Sequence, residues 1–238
     1  MTEAAPPPDG VALTLADGRS VTVACRPNPR ARRMTLRVRD DGSVRVTLPP
    51  GVPEREAVRF VQREEAFVAA RLAALDAARI GDGGLCPVRG ERLRLTFTDG
   101  PPRRVWREGD ALMVGGPRDM APRRLESWLK AEARHDLAPL VQDHAAALGV
   151  AAPRLSIGDM RSRWGSCSSR GAVRFSFRLV MAPPGVLAYV AAHEMAHMVE
   201  MNHSPAFWAE VARLMPRYPR HKDWLRRHGA ALMRVHFA

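Results

Sequence analysis

The chain has 238 residues, 46% of them apolar and 26% charged, with three cysteines and a formal net charge of +12. That length allows one large or two small domains with real cores, and an odd cysteine count without metal-ligand spacing argues against a disulfide scaffold and fits a reducing compartment. No apolar run approaches the roughly 18 residues that a membrane span needs, and the acidic, Pro-rich start is not a signal peptide, so the expected location is the cytoplasm.

The charge is nearly all arginine, with Lys130 and Lys222 the only lysines, and it is scattered through every segment. Such a field raises encounter with polyanions without making one the substrate, so a nucleic-acid partner is only weakly supported. Residues 1–10 are expected to be a disordered leader. Val11–Leu15 and Ser20–Val23 read as strands around an Asp17-Gly18 turn, and Met34–Arg39 and Ser43–Leu48 repeat the pattern around Asp41-Gly42. Pro53 then opens a helix carrying Val58, Val61, Val68, Leu72 and Leu75, which ends before Gly81.

Gly81-Asp82-Gly83-Gly84 reads as a flexible link, followed by short strands at Leu93–Phe97, Arg104–Trp106 and Ala111–Val114. Residues 11–115 are thus a strand-rich front part with one helix, and no catalytic spacing occurs in it. Residues 116–238 form the second part. A long helix runs from Pro122 towards Leu148, with Gly149 as its stop and Pro139 as a kink. Strand character resumes at Arg154–Ile157 and again, after Arg161–Gly171, at Ala172–Val180. The last strand is expected to line the cleft and pair with an extended peptide.

The chain is organised around the segment His193-Glu194-Met195-Ala196-His197. On a helix, His193 and His197 lie one turn apart on one face, where two imidazoles can grip one metal ion. Glu194 leans over the same ion without binding it, placed to take a proton from activated water, as in a zinc hydrolase. His203 reaches the ion only if the helix stops. Asn202 in the left-handed conformation is the expected stop, and Ser204-Pro205 reads as N-cap and first residue of a new helix. His203 would then be a third ligand, leaving the fourth tetrahedral position to water.

Arg163-Trp164-Gly165-Ser166-Cys167-Ser168-Ser169, Ala182-Pro183-Pro184, the His193–His197 motif and Asn202-His203-Ser204-Pro205-x-Phe207-Trp208 together resemble the YgjP-like metallopeptidase family. The resemblance implies an α+β, zincin-like metallopeptidase domain related to the M48 and SprT or Wss1-type peptidases. It implies His193, His197 and His203 as zinc ligands and Glu194 as general base. A gluzincin pattern would instead take Glu210 as third ligand. Glu200 is a candidate to orient a ligand imidazole, and Arg163, Tyr218 or His221 to steady an oxyanion. The expected function is zinc-dependent hydrolysis of a peptide or protein substrate. The alternatives are a metal-dependent hydrolase of nucleotides or other phosphate esters, and a DNA-associated module whose structural zinc is closed by a fourth ligand such as Cys167.

Overall fold

The structure, a computed structural model, describes residues 10–39, 42–77, 79–168 and 171–237. The expected leader lies outside these residues except for Gly10, and so do Asp41 of the second turn and Ser169 and Arg170 of the Trp164 segment. The chain divides into two compact units, Met1–Ala78 and Arg79–Ala238.

In the first unit, β1 (Gly10–Thr14), β2 (Ser20–Pro27), β3 (Thr35–Val38) and β4 (Val44–Leu48) form a sheet in the order β1-β2-β4-β3. The two antiparallel hairpins expected from the alternation join through a parallel pairing of β2 with β4. Val23, Val44, Val46 and Leu48 turn to one face, and Val61, Val68, Leu72 and Leu75 pack on them. Those last four residues come from two helices rather than the single one expected. α1 (Glu54–Arg63) and α2 (Glu65–Ala77) are separated at Glu64, whose backbone (φ −94°, ψ 11°) leaves the helical region.

The second unit opens with β5 (Arg79–Ile80), β6 (Leu85–Val88), β7 (Glu91–Thr98), β8 (Val105–Glu108) and β9 (Ala111–Gly115). Strands β6 to β9 form a sheet in the order β6-β7-β9-β8. The expected flexible link is instead an ordered turn. Gly83 N–H donates to the Leu95 carbonyl at 2.9 Å, and the Asp82 carboxylate accepts from Phe97 N–H at 2.8 Å. β6 escapes a sequence reading because it contains Pro87, and it tolerates that proline as an edge strand.

α3 (Ala121–Leu148) spans both cores of this unit. Leu125, Leu129 and Ala133 face the cluster around β7 and β9, whereas Leu137, Val141 and Ala145 face the cluster beneath the histidine motif. Gly149, at φ 69°, ends it as expected. A second sheet follows, built from β10 (Arg154–Gly158), β11 (Gly165–Cys167) and β12 (Ala172–Ser176) in the order β10-β12-β11.

Two expectations about β12 are corrected. It ends at Ser176, and Phe177–Met181 form a fully buried 3-10 turn. The cause is tertiary: Arg178, only 2% exposed, is drawn inward by the Asp159 carboxylate and by the Val235 carbonyl, to which it donates at 3.0 Å. β12 is also the middle strand, bonded to β10 on one side and β11 on the other, so it has no edge for a peptide. The unit closes with α4 (Pro184–Ala196), α5 (Pro205–Leu214), α6 (Tyr218–Met233) and β13 (His236–Phe237), which pairs in parallel with β5. No helix among the described residues is long and apolar enough to cross a membrane.

Candidate metal centre and cleft

α4 is apolar nearly all round. Val186, Leu187, Tyr189, Val190, Ala191, Ala192, Met195 and Ala196 are all buried, so the helix is clamped in the core and its last turn is held rigidly. His193 and Glu194 lie in that turn, and His197 is the residue that caps it. The helix therefore ends at Ala196, six residues before Asn202, and the stop is not a left-handed Asn202. Among the described non-glycine residues only Arg89 has a positive φ. The amides of Val199 and Glu200 close instead on the Ala196 carbonyl. Asn202 contributes differently, its side-chain oxygen accepting from Ser204 N–H at 3.0 Å. Ser204 then caps α5 by accepting from Phe207 N–H at 3.3 Å, with Pro205 in the first turn as expected.

The reversal returns His203 to the helix. One ring nitrogen from each of His193, His197 and His203 lies within 4.8 Å of the others, and the Nε2 atoms of His193 and His203 are 3.3 Å apart. Two nitrogens bound to one ion at 2.0–2.1 Å and the tetrahedral angle would stand about 3.3–3.4 Å apart. His197 Nδ1 lies 3.0 Å from the Glu200 carbonyl oxygen, so as the protonated nitrogen it donates there and leaves Nε2 with its lone pair. The backbone of Glu200, rather than its carboxylate, is what orients a ligand candidate. His193 Nδ1 is buried without a partner among the described residues, which leaves Nε2 as the polar outlet of that ring.

Burial, followed by the charges of His197, His203 and Lys222, pushes the His193 imidazole down to about 4. Burial likewise lowers His197. Both rings are neutral near pH 7, the form that can ligate a cation. Fully buried Phe207 backs the cluster, with its ring centroid 4.9, 4.5 and 4.7 Å from those of His193, His197 and His203. Three imidazoles converging on an apolar wall fit a divalent transition-metal ion. Glu210 is outside the cluster, its carboxylate accepting two bonds from Arg213. Cys167 is outside it too, with its sulfur 3.6 Å from that of Met198.

Glu194 is 6% exposed, and burial pushes its carboxyl up to about 7 against the opposing influence of Arg163 and of the Cys167 backbone N–H. β11 passes so close that a Cβ on Gly165 would stand 2.5 to 2.7 Å from Glu194 side-chain atoms. Glycine is required there for approach, not for its torsions. A cavity of about 320 Å³ opens beside the pair, walled by His193, Glu194, Gly165, Tyr189, Trp164 and Arg163.

The family model of the YgjP-like metallopeptidase domain matches residues 32–228. The chain belongs to that family. No curated protein matches. Among solved structures, the crystal structure of the metallopeptidase zymogen of Pyrococcus abyssi abylysin is similar at 22% identity and a TM-score of 0.36, covering 38% of this chain and 92% of that one.

Of the oxyanion candidates in this YgjP-like chain, Arg163 lies on the cavity wall. Tyr218 is stacked between Tyr189 and Trp208 at 6.1 and 5.5 Å. His221 packs its ring against Gly185 at the far end of α4, where it accepts from Arg220 at 2.9 Å. A sequence reading gives no role to Tyr189 or Gly165. Tyr189 had a usable signal, since it precedes His193 by four residues and shares its helix face. Gly165 had none beyond lying in an unusual motif, because its constraint comes from a residue 29 positions away.

Proposed function

We propose that the chain is a zinc-dependent metallopeptidase, with His193, His197 and His203 holding the metal and Glu194 as general base. The observation that supports this reading best is the convergence of three imidazoles within 4.8 Å of one another, with one of them, His193, sharing a cavity wall with the Glu194 carboxyl that burial pushes up to about 7. When bound, zinc supplies Lewis acidity, which makes water acidic enough to be deprotonated at neutral pH and polarises a carbonyl. Glu194 takes the proton from the attacking water at a carboxylate oxygen and returns it to the leaving amine nitrogen.

Glu194 would act as a base in its carboxylate form, which a dication held by the three histidines would favour over the acid. Gly165 and the Cys167 amide hold it in place, and Tyr189 and Trp164 shelter it from bulk water. The strand with an unpaired edge beside Glu194 is β11, so an extended substrate lies along that strand rather than along β12. Three donors with no fourth among the described residues favour a working site over a structural one. Among the described residues Cys86 and Cys167 form no disulfide, which suits the cytoplasm.

The test is hydrolysis of a casein-type substrate, with nucleoside triphosphates alongside, before and after chelation and zinc restoration. Chelator-sensitive proteolysis is expected. Chelator-sensitive release of phosphate without proteolysis would replace the peptidase reading.

A further inference from the structure

We infer that Lys222 is the receptor for a substrate carboxylate held beside the scissile bond, so that the site selects acidic peptides; this rests on the peptidase reading above. α6 carries Tyr218 and Lys222 one turn apart, and both meet Trp208. Tyr218 stacks on the indole at 5.5 Å and 18°, and the Lys222 ammonium stands 3.8 Å from a Trp208 ring centroid. Trp208 in turn packs edge-on to buried Phe207 at 5.1 Å and lies 5.8 and 6.1 Å from the rings of His193 and His203. A single aromatic side chain therefore ties the ammonium to two members of the histidine cluster.

An exposed lysine ordinarily keeps its rotamer freedom and a full shell of water. Here the aromatic face offsets the lost entropy on one side of the ammonium and leaves N–H donors on the other. Among the described residues no carboxylate takes them. The adjacent acid, Asp223, is already engaged by Arg226 at 2.6 Å and by Arg227. Residues 79–238 hold 25 Lys and Arg against 15 Asp and Glu, hence +10 of the chain's +12, and this field draws anionic chains towards the same unit.

The chemistry favours a carboxylate over a phosphate. Phosphate recognition uses forked guanidinium groups or several charges together. Beside Lys222, however, Arg226 and Arg227 are bound to Asp223, and Arg220 donates to His221. One compact, unengaged ammonium matches one carboxylate group. That group comes either from an Asp or Glu side chain or from the end of the peptide.

The experiment uses dye-labelled peptides with a common core: a set with one Glu scanned along an amidated peptide, the Gln counterparts, and a Gln peptide with a free C-terminus. Binding is read by fluorescence anisotropy on zinc-loaded and on chelator-stripped protein, and cleavage is followed in parallel. A peptide carrying the carboxylate should bind about tenfold tighter than its neutral counterpart in both preparations, as expected for one charge-assisted hydrogen bond at a partly open site. Persistence without zinc shows that the carboxylate is not read by the metal. Lys222→Gln should bring the ratio close to one, Lys222→Arg should keep most of it, and Lys222→Glu should invert it in favour of a Lys-containing peptide.

Whether the favoured peptide carries Glu or a free C-terminus identifies the source. Equal binding of Glu, Gln and free-ended peptides by the wild type would overturn the inference. So would an unchanged ratio in Lys222→Gln protein of wild-type melting temperature, which decides the matter if Lys222→Glu fails to fold. Preferential binding without cleavage would refute the peptidase reading and leave the role of Lys222 standing, whereas cleavage without preference would do the reverse.

Discussion

Gly165→Ala should damage catalysis through a single methyl group. The new Cβ would stand 2.5 Å from Glu194 Cγ, 2.6 Å from Oε1 and 2.7 Å from Cδ, well inside contact distance. A flexible surface side chain would swing away, but Glu194 is 6% exposed in a packed cleft, so β11 or the carboxyl must move by most of an ångström. Overpacking of this kind costs about 1–3 kcal/mol. In a unit of this size that lowers the melting temperature by about 2–4 °C per kcal/mol. A displacement near 1 Å in a reacting group costs about 10²-fold in rate. Calorimetry, elemental analysis and turnover on one peptide should therefore show a modestly less stable protein with full zinc and about a hundredfold lower kcat. The cause is isolated by repeating the substitution in a Glu194→Ala background, where the carboxyl is gone. Its stability cost should then shrink to a few tenths of a kcal/mol. An equal cost in both backgrounds would refute the steric argument.

Glu194→Gln should keep zinc and melting temperature while turnover falls at least about a hundredfold, because the amide cannot accept the proton; full activity would remove Glu194 from the mechanism. His203→Ala should lose most of its zinc by elemental analysis and Glu210→Ala should keep it, since Glu210 is held by Arg213. The reverse result would make Glu210 the third ligand. In chelator-stripped protein, His193 titrates near 4 against an ordinary 6.5, and Glu194 near 7 against an ordinary 4.5. Between about pH 4.5 and 6.5 the unfolded chain holds the extra proton at the histidine and the native state holds it at the glutamate, so their contributions to the slope of stability oppose. Removing the carboxyl in Glu194→Gln leaves the histidine arm alone, and urea midpoints of the stripped variant should rise with pH across that window more steeply than the wild type's. Parallel slopes would contradict the assignment.

Features written in local sequence were legible. The hairpins showed through alternation, the α5 start through Ser204-Pro205, the end of α3 through Gly149, and the histidine cluster through helical spacing. What escaped depends on partners distant in the chain. Arg178 ends β12 early because Asp159 and the Val235 carbonyl hold it inside, and nothing near Arg178 in sequence announces either. Asn202 suggested a left-handed stop because its side chain tolerates one, but the Ala196 carbonyl had already closed the helix. Glu200 drew notice for its carboxylate, and it is its main-chain oxygen, which every residue possesses, that faces His197. β6 went unread, since a proline such as Pro87 fits a strand only at an edge and a sequence does not say which strands will lie there.

The wall formed by Phe207 also bears on how this site can evolve. Its ring abuts all three imidazoles and is itself fully buried. A carboxylate replacing His193 or His197, the two half-buried members, would lie against hydrocarbon on that side, without a hydrogen-bond donor there to take up its remaining lone pairs. In the proposed ligand set, exchanging either of these two histidines for a carboxylate by a single codon change is therefore disfavoured unless residue 207 changes as well. The phenylalanine is then the position that guards the proposed three-histidine set at its buried side.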